Sequence, residues 1–103
     1  MQVTRRGLLT GAALGGGLEL AMHCDELVGA KTERPFPIGL PEAGLALCPG
    51  WGGTNLLPAR MDPERAILLT AAGKPMKSDE AIDAGLFDDV VDSADDLLAK
   101  CVE

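Results

Sequence analysis

The chain is 103 residues long, carries a formal net charge of −7 and is 47% apolar, with one Trp, two Phe and no Tyr. That length limits it to at most one small domain, and the apolar fraction excludes a disordered tract. The acidic balance argues against a nucleic-acid or anionic-membrane partner, and no apolar run is long enough to span a bilayer.

In chain order, strand and helix signals alternate. Residues 7–10 read as a strand. Gly15-Gly16-Gly17 then opens a helix over 16–24 with Glu19 in its first turn, where the helix dipole favours a carboxylate. Residues 26–31 read as a short strand and 35–39 as an extended, proline-bounded segment. Glycines at 50, 52 and 53 mark a turn leading into a helix near 54–57. Asp62-Pro63-Glu64 pairs an N-cap Asp with Pro at the first helical position and opens a helix to about 71. Ser78-Asp79-Glu80 reads as the cap of another helix ending at Gly85. Residues 87–91 are strand-like, Ser93 is placed to cap a terminal acidic helix, and the acidic terminus (Asp88, Asp89, Asp92, Asp95 and Asp96) reads as a solvated face. The alternation is that of an α/β fold.

Three cysteines, Cys24, Cys48 and Cys101, without a C-x-x-C pair, read as buried reduced thiols of a cytoplasmic protein. His23, the sole histidine, is next to Cys24 in the predicted helix, where neighbouring side chains diverge, so it reads as a packed or surface residue rather than a base. No ligands stand at zinc spacing, and no metal is expected. Thr4-Arg5-Arg6-Gly7-Leu8-Leu9 ahead of an apolar stretch has the look of a twin-arginine export signal. Glu19 soon follows, however, and no A-x-A cleavage site closes the segment.

The chemistry-bearing pattern is Gly11-Ala12-Ala13-Leu14-Gly15-Gly16-Gly17-Leu18-Glu19, then Gly39-Leu40-Pro41-Glu42, then Pro49-Gly50-Trp51-Gly52-Gly53-Thr54. A glycine run entering a helix presents bare backbone N–H groups suited to an oxyanion or a polarised carbonyl. Two carboxylates in the same region supply acid/base capacity for a carbonyl compound. Taken singly, Glu19 could equally be a helix-start carboxylate and Glu42 a surface loop residue.

The blocks GAALGGGLELAMHCDELVGA, GLPEAGLALCPGWGGTNLLPAR and RAILLTAAGKPMKSDEAIDAGLFDDVV, in this order, resemble the enoyl-CoA hydratase (crotonase) family over residues 11–91. The resemblance implies part of a crotonase spiral of ββα turns over residues 1–103, incomplete on its N-terminal side. It implies Glu19 and Glu42 as the catalytic pair and Gly16 as an oxyanion-hole donor. It further implies Leu14, Gly15, Pro41, Leu45, Gly50 and Trp51 around the substrate, with Leu18 and Leu40 as further candidate pocket walls. Trp51 alone could also be simple core. The implied reaction is hydration of a 2-enoyl-CoA, with coenzyme A as part of the substrate and no other cofactor. The implied assembly is a trimer or dimer of trimers. The interval from Asp25 to Glu42 is longer than in typical hydratases, with residues 32–37 in the extra space, and a displacement of about 1 Å at a reacting group can cost orders of magnitude in rate. The same resemblance leaves open a catalytically incomplete remnant or interaction module of that fold.

Overall fold

The computed structural model describes residues 6–9 and 11–101. Its elements run β1 (Arg6–Leu9), β2 (Ala13–Leu14), α1 (Gly16–Met22), β3 (Glu26–Ala30), β4 (Pro37–Gly39), a 3-10 helix (Pro41–Leu45), α2 (Gly53–Arg60), α3 (Pro63–Ala72), β5 (Met76–Lys77), α4 (Ser78–Asp83), β6 (Asp89–Val91) and α5 (Ala94–Cys101). Among these residues two three-stranded sheets form. One is wholly parallel in the order β1-β3-β6; in the other, β2-β4-β5, the β2–β4 pair is parallel and the β4–β5 pair antiparallel. The α/β reading holds. Thr4, Arg5 and Thr10 of the candidate export segment lie outside the described residues.

The core forms where apolar residues of one helix turn meet the strands. Leu18 and Met22, one turn apart on α1, are buried with Leu27 of β3, Ile38 of β4, Leu57 of α2 and Ala66 of α3. Each such Leu or Ile contributes about 1.5–3 kcal/mol on leaving water. Leu40 belongs to this core as well. Leu18 and Leu40 are therefore packing residues, not walls of a substrate pocket. A smaller cluster of Val28, Ala30 and Leu97 lies under α5.

Local chemistry sets the ends of α3, where a side-chain cap opens the helix and Gly73, in a left-handed conformation, closes it. Asp62 caps α3, its Oδ2 accepting from the Arg65 N–H at 2.9 Å, with Pro63 at the first helical position. Ser78 is not a cap, which corrects the sequence reading. It is the first residue of α4, Lys77 holds the cap position, and the Ser78 hydroxyl is engaged elsewhere. Its Oγ accepts from the Phe36 N–H at 3.0 Å while the Ser78 N–H donates to the Phe36 carbonyl at 2.8 Å, pinning the entrance to β4. At the exit of β3 the Lys31 N–H donates to the Val91 carbonyl at 2.9 Å, so the exposed residues 31–35 bulge out between two fixed ends. Helix α2 runs on through Pro58 to Arg60, beyond the expected 57.

Asp88 also departs from expectation. It is not merely solvated: its Oδ2 accepts from the Leu27 N–H at 2.6 Å and from Arg60 Nη1 at 3.0 Å. Burial pushes its carboxyl up, but the Leu27 amide and the Arg60 guanidinium outweigh this and hold it below its ordinary value. Arg60 Nη2 also reaches the Cys24 carbonyl at 3.2 Å, tying the end of α2 to the chain just past α1. The cysteines are not buried thiols as expected: Cys24 is half-buried and Cys48 exposed, both free, and the Cys101 side chain lies outside the described residues. No helix of the described residues is long and apolar enough to cross a membrane.

Candidate active site

Helix α1 carries Glu19 on its inward side, where it is 2% exposed. A carboxylate buried there needs donors, and the turn before α2 supplies them. Glu19 Oε2 accepts from the Trp51 N–H at 2.6 Å and the Gly53 N–H at 2.9 Å. Between those donors Gly52 has φ = 94°, a left-handed conformation that suits glycine and reverses the chain so that both amides face one oxygen. The carbonyl of Gly52 accepts from the Asn55 and Leu56 amides and opens α2.

Glu42 stands in the first turn of the 3-10 helix behind Pro41. Its Oε1 is buried and has no hydrogen-bond partner among the described residues. That oxygen faces Gly15: a Cβ built there would lie 3.4 Å from it. Gly15 in turn donates its N–H to the Gly39 carbonyl at 2.9 Å, joining the glycine turn to the strand that leads to Glu42. Gly16 heads α1, where first-turn amides have no acceptor within the helix. The Trp51 ring lies against it so closely that a Cβ on Gly16 would come 2.8 Å from Cζ3.

The structure thus joins Gly15 to Glu42, Gly16 to Trp51, and Glu19 to the 51–53 turn. Leu14 and Trp51 are partly exposed beside this centre, at 39% and 66%, while Leu45 is 75% exposed on the 3-10 helix and Gly50 is exposed in the turn. A separate apolar cavity of about 290 Å³ has Ala43, Leu47, Cys48, Pro49, Thr54 and Ile67 among its walls. None of Leu14, Leu45 or Trp51 lines it. Sequence reasoning missed this hollow because it depends on how three consecutive elements, the 3-10 helix, α2 and α3, pack against one another.

His23, an exposed residue at the C-terminal end of α1, makes one contact that the sequence reading did not include. Its Nε2 lies 2.7 Å from the Trp51 carbonyl. A carbonyl can only accept, so Nε2 carries the proton. The available signal was its position four residues after Glu19, on the same helix face. Among the described residues no group of three or more His, Cys, Asp or Glu is placed to hold a metal.

The sequence model of the family described as Enoyl-CoA hydratase/isomerase matches residues 7–103. The chain belongs to the enoyl-CoA hydratase/isomerase family.

Among its relatives is a "Probable enoyl-CoA hydratase" of Bacillus subtilis, 40% identical over 100 residues that cover 90% of this chain and 38% of the relative. Another is a fatty acid oxidation complex subunit alpha of Shewanella loihica, 41% identical over 83 residues, or 81% of this chain and 12% of that protein. The chain therefore spans well under half the length of either. The crystal structure of an enoyl-CoA hydratase from Mycobacterium marinum superposes with a TM-score of 0.81 at 30% identity, covering 94% of this chain and 37% of that one. The fold is the corresponding part of the family's crotonase fold.

Proposed function

We propose that this chain carries the acid/base centre of an enoyl-CoA hydratase, adding water across the double bond of a 2-enoyl-CoA thioester in the full-length protein. One observation carries the reading. Glu42 keeps a buried, unpartnered oxygen beside the glycine turn, while Glu19 is anchored by the adjoining loop whose Trp51 overlies Gly16. A carboxylate oxygen so placed is costly to the fold unless something polar meets it, such as a water or a substrate proton.

In this mechanism Glu19 and Glu42 hold a water between them. One proton leaves the water for a carboxylate as its oxygen bonds to the β-carbon. The π electrons shift toward the thioester oxygen, which accepts a hydrogen bond from the Gly16 N–H. Collapse of that charge draws a proton from the Glu19–Glu42 pair onto the α-carbon, which completes the addition of H and OH and returns the pair to its starting protonation. Leu14, Gly15, Pro41, Leu45, Gly50 and Trp51 border the acyl thioester, and the full-length protein works in the cytoplasm as a trimer or dimer of trimers.

The test is hydration of crotonyl-CoA, followed as loss of the enoyl thioester chromophore. Glu19→Gln and Glu42→Gln should each lower kcat by about 10²–10⁴-fold, the usual span for an acid/base group. Wild-type rates in both variants would reject the assignment. A second reading is favoured by coverage, since the chain matches only 38% of the Bacillus relative. On that reading the chain is a catalytically incomplete remnant or interaction module of the same fold, which binds the CoA thioester weakly or not at all and is indifferent to both Gln substitutions.

A further inference from the structure

We infer that His23 is a positioning residue for Glu19, acting through the 51–53 turn; the inference rests on the hydratase reading only where it speaks of turnover. Three consecutive peptide planes make up that turn. The outer two, which end in the N–H groups of Trp51 and Gly53, both donate to Glu19 Oε2. An oxygen shared by two donors is a pivot: it fixes a point but leaves the plane between them free to rock. That middle plane contains the Trp51 carbonyl, and His23 Nε2 donates to it at 2.7 Å. Glu19 in the first turn of α1 and His23, which caps its C-terminal end, are four residues apart, so the helix and its cap hold the loop at two points.

The ring of His23 also packs against the turn, since a Cβ on Gly52 would come 3.3 Å from Nε2. From the other side the Asn55 and Leu56 amides hold the Gly52 carbonyl. What His23 sets is therefore the orientation of Trp51 and, through its amide, the direction in which the Glu19 carboxylate faces. It touches neither carboxylate among the recorded hydrogen bonds; its effect is relayed by the loop.

The substitutions that separate this from simple packing are His23→Leu and His23→Gln. Leucine favours the helix at least as well as histidine but removes the donor. Glutamine places a donor N–H the same number of bonds from the backbone. Amide hydrogen exchange on the labelled chain gives a readout that needs no activity. In His23→Leu the Trp51 and Gly53 amides should exchange about tenfold faster, the scale of one net hydrogen bond, with α3 amides unchanged. His23→Gln should keep wild-type exchange at both.

In crotonyl-CoA hydration His23→Leu should lower kcat by a similar factor, about tenfold, at unchanged KM, and His23→Gln should restore it. Unchanged exchange in His23→Leu would overturn the inference, as would a Gln variant whose Trp51 and Gly53 amides exchange fast. If wild type and Glu19→Gln show the same absence of hydration, the function has failed instead, and the exchange result still decides the role of His23.

Discussion

Glu19 is 2% exposed and gives one oxygen to two backbone amides, whereas Glu42, on a single turn of 3-10 helix, keeps a buried oxygen with no partner among the described residues. The first carboxylate is built into the architecture, since two amides of the turn before α2 donate to it. The second is carried by the architecture against its own preference. Removing the acceptor of two buried donors leaves both unpaired, while removing an unpaired group relieves a cost. Asp88 and Asp62 fall between these extremes, with one amide plus Arg60 for Asp88 and one exposed amide for Asp62.

This grading makes the comparison breakable. Glu19→Ala should destabilise the fold most, by about 2–4 kcal/mol in urea unfolding, because two amides lose their acceptor in the interior. A loss no larger than that of a surface substitution would show that the turn does not depend on Glu19.

Asp88 should act next, and through pH. Its carboxyl lies lower in the folded chain than in the unfolded one, where about 3.9 is usual, so its stabilisation is full above that value and is lost as pH falls through the folded value. Asp88→Asn should be less stable than wild type at neutral pH, and the gap should close in acid. A gap constant with pH would remove the ionic part of the argument.

Asp62→Ala, which deletes the α3 cap, should cost about 1 kcal/mol. Smallest of all, Glu42→Gln should change stability by no more than about 0.5 kcal/mol, or raise it, since no bond recorded among the described residues is lost. A clear destabilisation there would mean that Glu42 belongs to the architecture after all.

What could be read from the residues follows from the range over which each feature is decided. The α3 start was legible because Asp62-Pro63 settles it within one turn, and Glu19 could be placed at the head of α1 for the same reason. Strands β2 and β5, two residues each, were not. Ala13 pairs with Ile38, and Ile38 with Met76, so these strands exist only once distant segments meet. Ser78 misled for a related reason: a hydroxyl that suits a cap locally is taken by Phe36, 42 residues away. The family motifs pointed to Glu19, Glu42 and Gly16, but not to the contact of the Trp51 ring with Gly16 or the bond from His23 to the Trp51 carbonyl. Both depend on how the 51–53 turn lies over α1.

The exposed residues 31–35, pinned at Lys31 by Val91 and at Phe36 by Ser78, carry one more consequence. The Lys31 anchor is a backbone bond, and the Phe36 anchor joins a backbone bond to one accepted by the Ser78 hydroxyl, at the two ends of the loop. Residues added or removed between them therefore change only the slack of the loop, and lengthening a surface loop costs little. The register of β4, and with it the approach to Glu42, is insulated from that length. A reporter peptide spliced into this segment should leave the surroundings of Glu42 undisturbed.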